Sequence, residues 1–216
     1  MLNVESLSFD LTDCSLREQS ETHRGWMNGA GVAHRLQFNS GPPSWPFDLT
    51  DPQAATEFYR QQCADNQGVM LSMDVVTAAG IEVLRGIFKY RAPIPQSLAM
   101  YYVGILWVPF QKCNFQLNIE AMERGATGVR EATVMVLKPD LWPKSDEVVV
   151  LKDGEDFFDR LRSAPVRQIP SDDEQFDHLF PMHPLSLVRA RLAAVLPTLT
   201  LDVPAGGLVP FRSRRV

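Results

Sequence analysis

Cysteine is scarce in this sequence, and the few cysteines lie far apart. The three residues, Cys14, Cys63 and Cys113, are odd in number and separated by 49 and 50 positions, with no C-x-x-C pair. A disulfide framework needs an even set of cysteines, and a structural zinc site needs closely spaced pairs. The sequence therefore predicts neither, and it favours a reducing compartment.

Segments that would export the chain or anchor it in a membrane are also missing. The longest apolar run covers residues 98–110, and its thirteen residues are fewer than the roughly 20 that a spanning helix needs. The first residues include Glu5, Asp10 and Asp13, and they show no basic stretch followed by an apolar one. We therefore expect a cytoplasmic protein without a signal peptide and without a membrane partner.

An excess of basic charge is lacking as well. The chain has 26 acidic and 21 basic residues, which gives a net charge of −5. Proteins that bind phosphate backbones usually carry a basic field. We expect no nucleic acid partner.

Recognisable catalytic and cofactor motifs are absent. The chain has no G-x-S-x-G sequence and no cysteine within a known Cys/His arrangement. Gly125 and Gly128 lie too close together for a phosphate loop or a dinucleotide fingerprint. His178 and His183 match no zinc signature, and His183 is expected to cap a helix instead. We therefore expect no cofactor and no metal.

What is present has the composition of one globular domain. Of the 216 residues, 45% are hydrophobic and 22% are charged, which is enough apolar material for a core. We predict a single α+β domain over residues 1–203 and a mobile tail over residues 204–216. Residues 139–182 are loop-rich. Between positions 146 and 177 there are ten acidic residues against four basic ones, which indicates an acidic surface segment.

Alternating apolar residues indicate an antiparallel meander. Strands are predicted at residues 32–38, 69–75, 81–90, 98–108 and 113–121, with a short one at 148–151. In the strand predicted at residues 81–90, the alternation of apolar and polar residues is interrupted near Gly86, where we expect a bulge.

Helices are predicted beside this meander. Asp51 and Pro52 form a favourable helix start, and Gly68 closes that helix. Further helices are expected at residues 155–162 and from His183 to Pro197, while residues 132–137 fit either a helix or a strand. The pattern as a whole predicts an α+β fold, a curved antiparallel sheet flanked by helices.

Ionisable residues are most concentrated where the last strand of the meander ends in a glycine-containing turn. The cluster comprises Glu120, Glu123, Arg124, Arg130 and Glu131. A strand-end loop that leads into a helix N-terminus can bring carboxylates and guanidinium groups around one small ligand. The same residues can instead form ion pairs that fix the turn, and the sequence leaves both interpretations open.

Aromatic residues concentrate in and beside the meander. Trp45, Tyr101 and Trp107 are candidates for contact with a partner, because an incompletely covered sheet face can present aromatic side chains. Packing in the core is the alternative use of these side chains.

Three motifs carry a resemblance to a known superfamily. They are DLTDP at 48–52, GIL at 104–106 and GATGVREA at 125–132, within residues 25–137. With the order of the predicted elements, the sequence resembles the PsbP/DcrB-like α/β sandwich superfamily. That resemblance implies a curved antiparallel sheet between helices and a role in binding other proteins, and it transfers no functional residue.

The function expected from these observations is that of a bacterial, cytoplasmic, non-catalytic module that binds another protein, as a chaperone, adaptor or toxin-neutralising partner. The alternative is a small-molecule hydrolase or transferase that uses Glu120, Glu123, Arg130 and Glu131. A concave pocket around two of these carboxylates would favour the enzyme, and a flat aromatic patch would favour the binding module. A structural homo-oligomer is a third possibility.

Overall fold

The computed structural model describes residues 2–143, 156–202 and 208–213. The strands in these residues are β1 (Leu7–Ser8), β2 (Cys14–Gln19), β3 (His23–Asn28), β4 (Ala33–Asn39), β5 (Val69–Ala78), β6 (Ile81–Arg91), β7 (Met100–Pro109), β8 (Asn114–Met122) and β9 (Thr200–Leu201). The α-helices are α1 (Pro52–Asp65), α2 (Val129–Leu137), α3 (Phe157–Ser163) and α4 (Pro184–Val195). No helix in these residues is both long enough and apolar enough to cross a membrane.

Seven of the strands form one sheet in the order β2-β3-β4-β8-β7-β6-β5, and every neighbouring pair is antiparallel. The short strands β1 and β9 pair separately. Helices pack on both faces of the large sheet, so the predicted α+β class with a helix-flanked antiparallel sheet is confirmed.

One face of the sheet packs against α4. The larger core cluster lies here and includes Leu106 and Ile119 from the sheet and Val188 and Leu192 from the helix. Gly104 allows the close approach, because a Cβ at this position would lie 2.5 Å from Cδ1 of Leu192. The contact places the N-terminus of α4 beside the ends of β7 and β8.

The opposite face is covered by α1 and by the proline-rich loop before it. Asp51 caps α1 by accepting a hydrogen bond from the Ala54 amide at 3.0 Å, as the sequence predicts. A second, largely aromatic core forms beneath the helix, where the rings of Tyr59 and Trp107 lie 4.5 Å apart.

The predicted bulge at Gly86 is wrong in its position. Gly86 pairs regularly with Met73 and Ile105, and the register shift lies in β5 between Met70 and Ser72. The glycine is required by packing instead, since a Cβ there would lie 2.7 Å from the ring of Phe88.

β6 itself alternates regularly, with Val83 and Ile87 in the core under α4 and Leu84 and Phe88 in the aromatic core. The sequence pattern is interrupted because both faces of β6 are buried and therefore both are apolar.

Residues 132–137, which fit either a helix or a strand in the sequence, belong to the helix α2. The helix predicted at 155–162 is observed as α3, while the strand predicted at 148–151 lies outside the described residues.

The described part of the C-terminal segment, residues 208–213, makes contacts with the rest of the fold. Phe211 is 6% exposed and packs against Trp45, with ring centroids 5.5 Å apart. The Gln111 amide donates to the carbonyl of Val209 at 3.0 Å, and Phe110 forms a bridge with Pro210. The mobility predicted for residues 204–216 stays a prediction, and Phe211 is the apolar side chain that fastens the described part of the segment to the core. Residues 203–207 and 214–216 lie outside the described residues.

Candidate functional site

Glu123 fixes the turn after β8. Its buried side chain accepts hydrogen bonds from the amides of Met100 at 2.8 Å and Gly128 at 3.4 Å. Burial acts to raise the pKa of Glu123, but the interactions with His183 and with these two amides outweigh it and lower the pKa below its ordinary value. Glu123 is therefore an ionised carboxylate that joins the start of β7 to the N-terminus of α2.

His183 faces Glu123 from the N-terminus of α4. Its Nδ1 accepts a hydrogen bond from the Leu185 amide at 3.2 Å, so the expected capping role is confirmed. Its Nε2 lies 3.4 Å from Oε1 of Glu123. Because Nδ1 acts as an acceptor, the ring carries its proton on Nε2.

Glu131 brings a second carboxylate to the same place from the first turn of α2. One oxygen each of Glu123 and Glu131 and one ring nitrogen of His183 lie within 4.8 Å of one another. Oε2 of Glu131 and Nε2 of His183 are almost inaccessible to solvent, and neither has a well-aligned hydrogen bond among the described residues.

Tyr102 completes this group from the sheet side. The residue is 0% exposed, its hydroxyl also lacks a hydrogen-bond partner in the described residues, and its ring centroid lies 5.4 Å from that of His183. Burial, together with the charges of Asp172, Glu131 and Glu123, raises the pKa of Tyr102 far above its ordinary value. We refer to Tyr102, Glu123, Glu131 and His183 as the polar centre.

Arg130 points away from the polar centre, although it precedes Glu131 in the chain. Its buried guanidinium donates to the carbonyls of Ser171 at 2.6 Å and Asp173 at 2.9 Å and to the hydroxyl of Ser186 at 2.8 Å. It also pairs with Asp177 at 2.8 Å. The guanidinium is therefore fully used in joining α2 to the segment before α4.

Glu120 lies on the other face of the sheet. Its neighbour Ile119 packs in the core under α4, and alternation along β8 turns Glu120 to the opposite side. There it lies 3.5 Å from Nε of Arg35 and interacts with the hydroxyl of Tyr101, whose pKa is raised by burial and by this carboxylate. Glu120 cannot share a ligand with Glu123.

A pocket of about 250 Å³ opens over the polar centre. Its lining includes Ala121, Glu123, Arg124, Val129, Met182 and His183. The exposed Arg124 belongs to the wall of this pocket, so it and Glu123 are the members of the predicted cluster that share a cavity. Glu131 does not belong to the lining of this pocket, but one of its carboxylate oxygens lies within 4.8 Å of an oxygen of Glu123.

The aromatic candidates are placed mainly in the core. Trp45 and Trp107 are 9% and 7% exposed, and Nε1 of Trp45 donates to the hydroxyl of Tyr59 at 2.8 Å. Tyr101 is half-buried beside Glu120. These side chains therefore offer no flat aromatic patch to a partner, and core packing is the use that the structure gives to both tryptophans.

A larger cleft of about 940 Å³ lies between α4 and the outer strands β5 and β6. α4 packs on β7 and β8, and on the same face the β5 side chains Leu71, Ser72 and Asp74 are only half-buried and line the cleft. Leu71 and Ile87 belong to the strand side of the cleft, and Arg189 and Ala193 line it from α4.

The rim of the cleft carries unneutralised negative charge. Asp74 is paired with Arg85 at 2.9 Å, and Asp177 is paired with two arginines. Asp173 and Glu174 are exposed and form no ion pair within the described residues. We call this region the acidic cleft.

Sequence reasoning found the turn but missed two members of the polar centre. Tyr102 lies in a nearly continuous apolar strand, where nothing distinguishes a core tyrosine from one beside a carboxylate. His183 was recognised as a helix cap, and the 60 positions between it and Glu123 gave no sign that they meet.

Comparison with known proteins gives little guidance. No protein-family model matches the chain, and no curated protein matches it either. Among solved structures, a crystal structure from Bacteroides thetaiotaomicron is similar over 58% of this chain and 41% of that chain, with a TM-score of 0.36 and 13% identity. The chain thus spans less than half of the length of that structure, and the likeness is too weak to carry an argument about fold or function.

Proposed function

We propose that this protein is a non-catalytic binding module that takes up an extended, basic segment of another protein along the outer edge of β5. A chaperone, adaptor or toxin-neutralising role fits this mode of binding. The observation that carries the proposal is an open edge strand beside the acidic cleft.

The edge of β5 is unusually available. The strand has ten residues and pairs only with β6 among the described residues, so its outer amides and carbonyls have no strand partner there. Proteins usually protect such an edge with lysine, proline or inward-pointing charge. β5 contains no lysine, arginine or proline, and its single charge, Asp74, is paired with Arg85.

The opposite edge of the sheet gives the contrast. β2 has six residues and contains Arg17 and Glu18, whereas β5 has ten residues and one charged side chain. Short length and charged side chains are features by which edge strands resist pairing. Both strands contain a register shift, but the one in β5 lies between Met70 and Ser72 and leaves a regular stretch from Ser72 to Ala78. The two edges therefore differ in length and charge in the way expected if β5 accepts a partner strand.

The acidic cleft defines the chemistry of the partner. Side chains of an added strand alternate between the two faces of the sheet, so every second one would face the cleft. Asp173 and Glu174 at the rim attract lysine or arginine at those positions. A segment that alternates apolar and basic residues therefore complements both the edge and the cleft.

The test is a titration of the protein against fluorescein-labelled decapeptides, followed by anisotropy. The probe alternates valine and lysine; one control replaces lysine with glutamate, and the other replaces valine with proline, which keeps the charge but cannot add as a strand. The valine–lysine peptide should bind at least about tenfold more tightly than either control. If the proline–lysine peptide bound as tightly as the valine–lysine peptide, binding would depend on charge alone and not on strand addition. That result would overturn the proposal.

Matched variants locate the contact. Asp173→Asn with Glu174→Gln removes two charges at the cleft and should weaken binding about fivefold, while Asn still caps the following turn. Glu57→Gln with Asp65→Asn removes two exposed charges from α1, on the other side of the sheet, and should leave binding unchanged. If a second copy of the chain occupies the edge instead, sedimentation velocity will show a dimer that the valine–lysine peptide dissociates.

Other expectations from the sequence belong to this proposal. Cytoplasmic location, a bacterial source and membership of the PsbP/DcrB-like superfamily are supported by the composition, the motifs and the antiparallel α/β sandwich. The hydrolase or transferase alternative receives no comparable support, because Glu120 lies on the other face and Arg130 is committed to the chain itself.

A further inference from the structure

We infer that Glu123, Glu131 and His183 form a binding site for a divalent transition-metal ion of the manganese or zinc class. The site lies at the turn after β8, away from the edge of β5, and the inference does not depend on the proposed function. It revises the expectation, drawn from the sequence, that the chain binds no metal.

The first observation is convergence. Three residues from different parts of the chain place one oxygen, one oxygen and one nitrogen within 4.8 Å of one another. Glu123 follows β8, Glu131 lies in α2 and His183 caps α4, so the arrangement is a product of the tertiary fold. A run of acidic residues on one surface segment would not produce it.

The second observation is independent and concerns Tyr102. This side chain is fully buried, its hydroxyl has no hydrogen-bond partner among the described residues, and its ring lies 5.4 Å from that of His183. The charges of Asp172, Glu131 and Glu123 act on it, that of Asp172 most strongly. Buried polar groups in native proteins nearly always have a partner, which can be an ion or an ordered water. Buried polar atoms without a partner on Tyr102, Glu131 and His183, all at the polar centre, therefore point to a ligand that binds there.

The third observation is the charge balance. Two carboxylates this close repel one another unless a cation or a proton intervenes. The buried cations nearby are already used, since Lys89 donates to both oxygens of Asp172 at 2.9 and 3.0 Å, and Arg130 pairs with Asp177. The pocket over Glu123 and His183 gives an ion access to the site.

The ligand types indicate the class of metal. One imidazole nitrogen with two carboxylate oxygens suits manganese and zinc, whereas magnesium and calcium prefer oxygen ligands and bound water. Three protein ligands would leave coordination positions for water, to which the Tyr102 hydroxyl can hydrogen bond.

His183 must change its tautomer for this to occur. Nδ1 now accepts from the Leu185 amide and Nε2 carries the proton. Coordination through Nε2 moves the ring proton to Nδ1, with no net gain or loss of protons by the imidazole, and the Leu185 amide loses its acceptor. Loss of this helix cap should weaken metal binding about fivefold, compared with a site whose histidine does not accept a hydrogen bond from a helix amide.

The experiment titrates protein freed of metal by chelator and dialysis with MnCl₂, while the electron paramagnetic resonance signal of free Mn²⁺ is followed. Manganese is the probe because its preferred ligands exclude the thiols of the three cysteines. We expect one equivalent to bind with a Kd below about 100 µM and to raise the melting temperature. No saturable binding by the folded protein would overturn the inference.

Variants separate this site from nonspecific binding. Glu131→Gln preserves shape, and His183→Asn keeps a residue that caps helices well, so both should fold while binding Mn²⁺ at least about tenfold more weakly. Glu120→Gln, a buried carboxylate on the other face of the sheet, should bind as the native protein does. Unchanged Mn²⁺ binding by His183→Asn would overturn the inference, even if Glu131→Gln failed to fold. The inference would also be overturned if Glu120→Gln weakened Mn²⁺ binding as much as the two site variants do.

Discussion

Arg191 donates a hydrogen bond from Nε to Nε2 of His34 at 2.8 Å, across 157 positions of sequence. His34 is fully buried in β4, as its place among apolar residues predicts, and Arg191 extends from α4. Because Nε2 accepts this bond, the neutral ring carries its proton on Nδ1. Burial, together with the charge of Arg191, lowers the pKa of His34 to about 4.

The first prediction is a loss of stability in mild acid that depends on His34. The folded-state pKa lies below the value near 6.5 of the unfolded chain, so the unfolded state binds more protons between these values. Above pH 6.5 the ring is neutral in both states and His34 does not change the free energy of unfolding. As the pH falls from 6.5 to 4, protonation of the unfolded chain lowers the free energy of unfolding by about 3 kcal/mol. Urea unfolding at intervals across this range measures it.

A glutamine at this position supplies the comparison. His34→Gln can still accept from Arg191 but does not titrate, so its curve should lie flatter than that of the native protein between pH 6.5 and 4. His178→Gln, at an exposed histidine, should reproduce the native curve. Parallel curves for the native protein and His34→Gln would contradict the assignment.

The second prediction concerns the contact between α4 and the sheet. Gly104→Ala places a methyl group 2.5 Å from Cδ1 of Leu192 and 2.8 Å from Cγ1 of Val188. Overpacking of this kind costs about 1–3 kcal/mol, which chemical denaturation should detect. Gly41→Ala is the control, because no atom lies within 4 Å of its added methyl group and it should change stability little. Equal stability of the two variants would show that α4 does not pack this closely.

The sequence specified the strands and helices better than it specified the polar contacts. Asp51 and Pro52 predict the start of α1 because a cap acts over three residues, and alternation along β8 predicts which side chains are buried. The convergence of Glu123 with His183 depends on how α4 docks, which is a long-range property. Local pattern therefore found the turn and could not say which of its charges face one another.

The third prediction distinguishes a structural Arg130 from one that binds a ligand. Arg130→Met leaves Asp177, the Ser186 hydroxyl and two carbonyls without their buried partner. Removing one member of a buried charged network typically costs about 3–5 kcal/mol. Arg130→Lys should recover only part of this, since an ammonium group cannot reproduce the planar fork. The measurement is again urea unfolding, and native stability of Arg130→Met would contradict the structural role.

The fourth prediction concerns the C-terminal segment, which the sequence predicts to be mobile and in which Phe211 packs against Trp45. Its ring meets Trp45 edge-on and lies in the aromatic core beneath α1. Phe211→Ala should therefore cost about 3–5 kcal/mol of unfolding free energy, because it leaves a cavity in the aromatic core beside Trp45. Val209→Ala, two positions earlier and 62% exposed, should cost under about 1 kcal/mol. Hydrogen exchange of the Gln111 amide, which is bonded to Val209, should accelerate in Phe211→Ala but not in Val209→Ala, because the segment is held to the core through the phenyl ring.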